Sequence, residues 1–172
     1  MSVSLYGSGN TVIQVVNATN SVAASTTGTP YVASNLTATI TPLSSSSKIL
    51  VIINATCVYT QLSAAAFGMG LQINRGATAI YTDTNNSDGG YIGSYANYIG
   101  SVRAKTPLIY LDSPATTSAT TYTLYFSANN GTALISGCSP SIFKSIVSGK
   151  EYDPMSMLYD TVNVERYARV VV

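Results

Sequence analysis

Apolar and polar residues alternate with a period of two along much of the chain, which is typical of β-strands that have one face in water. In Asn35–Pro42 the apolar residues Leu36, Ala38 and Ile40 alternate with polar residues, mostly threonines. A proline and a run of serines follow, and these residues favour a turn. The segment therefore predicts a strand with one buried and one exposed face.

The segment Lys48–Tyr59 is nearly all apolar and β-branched, which is typical of a strand that is covered on both faces. Gly70–Gly76 alternates again, and its final Arg-Gly pair predicts a turn into a second strand over Ala77–Thr82. The sequence thus predicts a central strand followed by a hairpin.

Three further short strands are predicted in the second half of the chain, over Thr106–Leu111, Thr120–Ala128 and Thr132–Ser136. The turn residues Asp-Ser-Pro and Asn-Asn-Gly separate them. Short strands at regular spacing that are enriched in Thr, Val, Ile and Tyr indicate a sandwich or a jelly roll. We therefore predict an all-β chain that forms a single jelly-roll-like β-sandwich with extended N- and C-terminal segments.

Both ends of the chain have strand-like patterns whose partners the sequence does not identify. Thr11–Asn17 is either the first strand of the sandwich or an arm that pairs with a neighbouring subunit, since an unpaired apolar edge favours aggregation. Val162–Val172 is open to the same two interpretations. Ser141–Val147 and Pro154–Tyr159 fit either a helical turn or an extended connector.

We divide the chain into an N-terminal arm or first strand (residues 1–24), a sandwich body (25–140) and a C-terminal attachment segment (141–172). The start of the chain lacks a basic region followed by an apolar one, and no apolar run approaches the length of a membrane span. We therefore expect synthesis in a cytoplasm and no membrane partner. The candidate attachment or subunit-contact residues are the apolar residues of the two end segments: Val12, Ile13, Val15, Val16, Val162, Val164 and Val170.

Charged residues are few and unevenly placed. They make up 9% of the chain, against about 25% in an average protein. Residues 1–47 carry none, whereas eight of the fifteen lie from Lys144 onwards. Eight cations offset by seven anions argue against nucleic acid as a partner, because few phosphates could be neutralised. A weakly charged surface is better tolerated when neighbouring subunits cover it, which favours an oligomer.

Residues that carry catalysis are scarce. The chain has no histidine, which excludes nucleophilic catalysis and metal binding through imidazole. Four of the seven acids crowd the C-terminal segment, so two carboxylates facing each other across a sugar are not predicted. Asp83–Gly89 departs from the spacing of a calcium loop and fits a hairpin turn. We therefore expect no enzyme activity, no metal and no cofactor.

Cys57 and Cys138 are the two cysteines of the chain. Cys57 lies in an apolar run and is interpreted as a small buried hydrophobic residue. A disulfide requires two Cα atoms within about 7 Å of each other, which the sequence alone does not establish. The free and the bridged states both stay open.

Thirteen tyrosines occur in the chain, and five of them cluster between positions 81 and 110. The cluster forms a sugar-stacking surface or a subunit interface, or it reflects the preference of tyrosine for strands. On the first interpretation, the candidate contacts to a glycan or a neighbouring subunit are Tyr91, Tyr95 and Tyr98.

Six separated segments over residues 5–137 carry a family resemblance: Leu5–Asn10, Val12–Val16, Leu36–Pro42, Ser45–Val51, Leu71–Gly76 and Leu111–Thr117. In this order they resemble short virion proteins of marine tailed bacteriophages, cyanophages among them, which are described as tail fibre or structural proteins. Beyond Gly137 the chain departs from that pattern, since such proteins end with a short Thr- and Leu-rich strand.

The resemblance implies a small trimeric β-sandwich that is displayed on a phage particle and has no catalytic residues. One expected function is that of a structural protein, a capsid decoration or short fibre in contact with other virion proteins. The other is that of a lectin-like, receptor-binding tail-fibre module that recognises host glycans. Either function places the protein in the virion after synthesis in the host cytoplasm.

Overall fold

The computed structural model describes residues 11–61, 67–83, 92–94 and 100–147, and these ranges contain ten β-strands. Several strands are longer than their alternating sequence patterns. The strands are Thr11–Asn20 (β1), Ala24–Thr26 (β2), Val32–Ile40 (β3), Lys48–Gln61 (β4), Phe67–Arg75 (β5), Thr78–Thr82 (β6), Ile92–Ser94 (β7), Ser101–Asp112 (β8), Thr120–Asn129 (β9) and Gly131–Val147 (β10).

The strands form two antiparallel sheets. Sheet A has the order β1-β10-β4-β8, and β2 also pairs with the first part of β10. Sheet B has the order β3-β9-β5-β6, and β7 also pairs with β5. β1 and β2 together correspond to the first strand of an eight-stranded jelly roll, and β6 and β7 together to its fifth strand. The chain then pairs its first strand with its last (β1 with β10), its second with its seventh (β3 with β9), its third with its sixth (β4 with β8) and its fourth with its fifth (β5 with β6). This nested pairing is that of a jelly roll, and the predicted all-β, jelly-roll-like sandwich is confirmed.

The alternating segment and the hairpin lie where the sequence predicts them. In β3, Leu36, Ala38 and Ile40 are buried, and the residues between them are exposed. Strands β5 and β6 pair directly, with Arg75 opposite Thr78. Gly76 in the connecting turn has a φ of +56°, which glycine adopts without steric cost.

The prediction that Lys48–Tyr59 is covered on both faces is confirmed for one face, and no described residues cover the other. Strand β4 alternates between fully buried residues, such as Ile49 and Val51, and half-buried ones, such as Leu50 and Ile52. The first set faces sheet B in the core. The described residues form no further layer over the second set.

Strand β10 is much longer than the predicted strand Thr132–Ser136. It begins after Asn130, whose φ of +59° marks the predicted turn, and it continues to Val147. Residues 141–147 are therefore strand rather than a helical turn, whereas 154–159 lie outside the described residues. The sheet crosses position 140, and the separate C-terminal attachment segment remains a prediction.

Strand β1 belongs to the sandwich of its own chain. It pairs with β10 from Thr11 opposite Val147 to Asn20 opposite Cys138. Of the two interpretations of the N-terminal pattern, the structure adopts the first strand of the sandwich.

The core lies between the two sheets, and its largest fully buried side chains include Tyr59, Tyr122 and Phe126. Tyr59 donates a hydrogen bond of 2.7 Å to the carbonyl oxygen of Asn129. A Cβ atom at Gly131 would overlap the Tyr59 hydroxyl. The glycine that follows the turn at Asn130 is therefore required by close packing.

Candidate interaction surface

The outer face of sheet A carries a group of aliphatic side chains. Two pairs lie directly opposite each other on β4 and β8: Leu50 with Leu111, and Ile52 with Ile109. Ile109 and Leu111 are 68% and 54% exposed, and their partners are half-buried. Cross-strand neighbours have Cβ atoms about 5 Å apart, so the four residues form one continuous surface. We call these four residues the aliphatic patch.

The same rows of the sheet continue across β10 to β1. Lys144 is in register with both Leu50 and Val15, and Val15 is 38% exposed. Ile142 is in register with both Ile52 and Asn17. The two rows that contain the aliphatic patch therefore span β1, β10, β4 and β8.

Cations border the patch. Arg103 and Lys105 are exposed and lie on the same face of β8 as Ile109. At the opposite end of β8, Lys48 donates a hydrogen bond of 2.5 Å to the hydroxyl of Ser113. Within the described part of this outer face, the charged side chains are all positive.

Strand β8 is an edge of sheet A. It pairs with β4 on one side and, among the described strands, with none on the other. Sheet edges usually carry lysine and proline, which discourage pairing with other chains. Lys105 and Pro107 fit this rule, but Ile109 and Leu111 do not. An exposed aliphatic pair on an edge strand is suited to contact with another polypeptide.

The outer face of sheet B has a different character. Thr39 and Thr121 share a hydrogen bond of 2.8 Å between their hydroxyls, and Thr37 and Thr123 share one of 3.2 Å. Gln72 donates to Asn74 Oδ1 at 2.5 Å and accepts from Thr82 at 3.3 Å. Its hydroxyls and amides are largely bonded to one another.

A buried ionic contact joins the two sheets beside the patch. Asp112, at the end of β8, is 6% exposed and accepts hydrogen bonds from Arg75 Nη1 at 3.0 Å and from the Tyr122 hydroxyl at 2.7 Å. Arg75 and Tyr122 belong to sheet B. Burial first, and then the bond to Asp112, raises the pKa of Tyr122, which keeps its hydroxyl protonated as a donor. Because Leu111 adjoins Asp112, this inter-sheet contact also fixes one end of the patch.

The two cysteines are buried and free, so the bridged alternative is not the state observed. Burial is the main cause that raises the pKa of Cys57 and of Cys138 from 9.0 to about 11. Both thiols are therefore protonated near neutral pH and poor nucleophiles. In the described ranges no three Cys, Asp or Glu side chains are grouped in a way that could hold a metal ion.

The residues predicted as contacts fall in different places. Val12, Ile13, Val15 and Val16 all lie in β1. Val16 is partly buried and packs against the core, whereas Val15 is on the outer face. The remaining candidates lie outside the described residues: Val162, Val164, Val170, Tyr91, Tyr95 and Tyr98. The role of all these residues in attachment or glycan binding remains a prediction.

Sequence reasoning missed the aliphatic patch. The sequence does contain a signal for the patch, because Thr106–Leu111 has apolar residues on both faces of the strand. Leu108 is buried in the core, whereas Ile109 and Leu111 are exposed. The apolar residues on both faces of β4 give the same signal. Both patterns correspond to the apolar side chains on the outer face of sheet A.

No helix long and apolar enough for a membrane span occurs among the described residues. No protein-family model matches the chain, and no curated protein sequence matches it.

Solved structures of infectious bursal disease virus are similar to this chain over 81–82% of its length. The Gt strain structure gives a TM-score of 0.43 at 14% identity, and the Gx strain structure gives 0.36 at 17%. The VP2 subviral particle gives 0.37 at 11%. This chain covers 34–35% of those viral chains, so it spans about a third of their length.

Proposed function

We propose that this chain is a structural protein of a bacteriophage virion, a small oligomeric jelly roll on the particle surface that serves as a capsid decoration or in a short fibre. The observation that carries this proposal is the aliphatic patch on one outer face of a sandwich whose other outer face is polar. Such a module suits a site where another protein covers one side and water covers the other.

Two further features support the proposal. Double-sheet jelly rolls serve in viral capsid and lectin domains. Separated segments over residues 5–137 resemble virion proteins of marine tailed phages, and that resemblance favours a trimer as the oligomeric state. The other partners are then neighbouring virion proteins of the capsid or tail, and the protein is located in the virion after synthesis in the host cytoplasm.

The chemistry of the described residues favours a structural role over an enzymatic one. The sequence has no histidine, and burial keeps both thiols protonated. Asp112 is held by Arg75 and Tyr122 in the inter-sheet contact. Its geometry suits a support of the sandwich rather than an acid or base that contacts a substrate.

The alternative is a tail-fibre module that recognises host glycans through Tyr91, Tyr95 and Tyr98. Glycan binding needs polar groups that are free to bond a sugar. On the outer face of sheet B, Thr37, Thr39 and Gln72 already bond neighbouring side chains, so a glycan site on that face is not favoured.

Quantitative mass spectrometry of purified particles tests the proposal. Particles are banded by density from a lysate in which the gene is expressed, and peptides of this chain are counted against the major capsid protein. A structural decoration is expected at many copies per particle. A few copies per particle would favour the receptor-binding alternative, and absence from washed particles would contradict both functions.

A further inference from the structure

We infer that the aliphatic patch is the docking site for the C-terminal segment, residues 148–172, of a second copy of this chain. The inference rests on the proposed function, which requires contacts between subunits, and it names the segment that makes one of them.

The sequence of β4 indicates that the patch is covered. Leu50 and Ile52 lie on its outer face, while Ile49, Val51 and Ile53 on its inner face are fully buried. Strands that are apolar on both faces are typical of sheets covered on both faces. The described residues cover one face of sheet A, so the cover of the other must come from elsewhere.

The end of β10, after which the C-terminal segment begins, lies near the patch. Val147 is the last residue of β10, and Ile146 is in register with Lys48 at the start of β4. The patch begins two residues further along β4, at Leu50. The segment that follows has 25 residues, which span up to about 80 Å when extended.

The direction of β10 favours a second copy over the same copy. The strand runs along β4 from Gly131, opposite Gln61, towards Ile146, opposite Lys48. It therefore passes the rows of the patch before it ends, and an extended continuation leads away from the patch. A segment that continues in this direction can reach the patch of a neighbouring subunit.

Charge complementarity distinguishes the segment from the other obvious occupant, which is the patch of a second copy packed face to face. In that arrangement the patch of the second copy would offer no anion to Arg103 and Lys105, since the charges described on this face are all positive. The C-terminal segment carries charges of both signs, with the cations Lys150, Arg166 and Arg169 beside the acids Glu151, Asp153, Asp160 and Glu165. Its carboxylates can pair with the cations that border the patch.

The segment also has the apolar residues that the patch requires. Val162 and Val164 alternate with Asn163 and Glu165, and three valines end the chain. A partner strand of this pattern presents aliphatic side chains on one side and polar ones on the other. The segment thus supplies aliphatic side chains for the patch and carboxylates for the cations that border it.

Photocrosslinking on the full-length chain tests the inference. The photoreactive residue p-benzoylphenylalanine replaces Ile109, which is 68% exposed, and in a control it replaces Val22, which is 63% exposed and lies between β1 and β2. After irradiation, the crosslinked bands are separated by mass and their peptides are sequenced. The expected product is a two-chain band in which position 109 is joined to a residue of 148–172, and the control lacks it.

Each other product overturns the inference in a distinguishable way. A single-chain product that joins position 109 to 148–172 means that the segment covers its own subunit. A two-chain product that joins two sheet A faces means that the patches pack together, and the proposed structural role then survives. No crosslink beyond that of the control means that the patch has no cover from this chain.

Dissociation on dilution provides a second measurement. Ile109→Lys in the full chain is expected to raise the dissociation constant of the assembly at least tenfold, because it places a charge in an apolar contact. Val22→Lys, with similar exposure, is expected to leave that constant unchanged. Equal dissociation constants for the two variants would overturn the inference, whatever the particle composition shows about the proposed function.

Discussion

The two sheets of the sandwich have similar inner faces and different outer faces. Inside, both contribute fully buried side chains, such as Ile53 from sheet A and Leu71 from sheet B. Outside, sheet B presents threonines and amides bonded to one another across the strands. Sheet A presents aliphatic pairs, with Ile109 and Leu111 more than half exposed.

This difference separates the requirements of folding from those of assembly. The inner faces bury apolar surface against each other, which is the main driving force for folding. The outer face of sheet B needs nothing beyond water, because its polar groups are paired or solvated. The outer face of sheet A exposes surface whose burial would be favourable, and we interpret it as the part of the molecule that was selected for contact with another polypeptide.

The largest expected change in unfolding free energy comes from the inter-sheet contact of Asp112 with Arg75 and Tyr122, which joins the two sheets. Asp112→Ala removes the carboxylate that accepts hydrogen bonds from the Tyr122 hydroxyl and the Arg75 guanidinium. Loss of one partner from a buried ionic contact costs about 3–5 kcal/mol, and we expect the lower part of that range because Arg75 is partly exposed. Urea unfolding measures the change.

Asp112→Asn is the matched control for that variant, since it keeps the volume and one acceptor oxygen. We expect its loss of unfolding free energy to lie between those of wild type and Asp112→Ala. If alanine and wild type unfold at the same urea concentration, the contact does not hold the sheets together.

Alkaline pH is expected to lower the free energy of unfolding through Cys57, which lies on the inner face of sheet A. Burial raises the pKa of Cys57 from 9.0 to about 11. The contribution of the protonated thiol to the free energy of unfolding is therefore complete below pH 9 and is lost as the pH rises to 11. Each pH unit within that window costs at most about 1.4 kcal/mol for one thiol. The free energy of unfolding of wild type should therefore fall more between pH 9 and 11 than that of Cys57→Ala, by about 2 kcal/mol. Parallel pH profiles for the two proteins would show that this thiol ionises without unfolding the chain.

Removal of the exposed aliphatic residues should affect assembly and leave folding intact. Leu111→Ser is expected to weaken association by about 1–2 kcal/mol, the scale for burial of one such side chain. Unfolding of the separated subunit should change by less than about 0.5 kcal/mol, as for most surface positions. Sedimentation equilibrium gives the first quantity, and denaturation at high dilution gives the second. A larger effect on folding than on association would remove the distinction between the two outer faces.

The smallest effect is expected on the outer face of sheet B. Thr39→Val removes the 2.8 Å hydrogen bond to Thr121 but keeps a β-branched residue that suits a strand. The net change in unfolding free energy should be within about 0.5 kcal/mol, with association unchanged. A loss of assembly in this variant would mean that sheet B, too, is an interface.

The sequence predicts the sandwich well because the alternation that identifies a strand also decides which residues enter the core. Leu36, Ala38 and Ile40 show this clearly. It does not predict the length of β10, since the strand continues through Ser139, Pro140 and Ser141, which are usual turn residues. The register with β4 shifts between Cys138 and Ile142, and this irregularity lets the sheet accommodate them.

The patch was harder to predict than the fold. Leu50 and Ile52 belong to a run that predicts a strand covered on both faces, and only the sheet order shows that one face lacks a cover within the described residues. The pairing of Ile52 with Ile109 joins residues 57 positions apart, and no local pattern encodes it. The inter-sheet contact between Arg75 and Asp112 is distant in sequence in the same way.

The measurement that tests the central claim most directly is the mass of the full chain in solution by light scattering, compared with Ile109→Lys and Thr37→Lys. The two lysines lie at exposed positions on the outer faces of sheets A and B respectively. We expect wild type and Thr37→Lys to share a mass that is a multiple of 18.0 kDa, and Ile109→Lys to be a single chain. A monomeric wild type, or one mass for all three proteins, would contradict the assignment of sheet A as the interface.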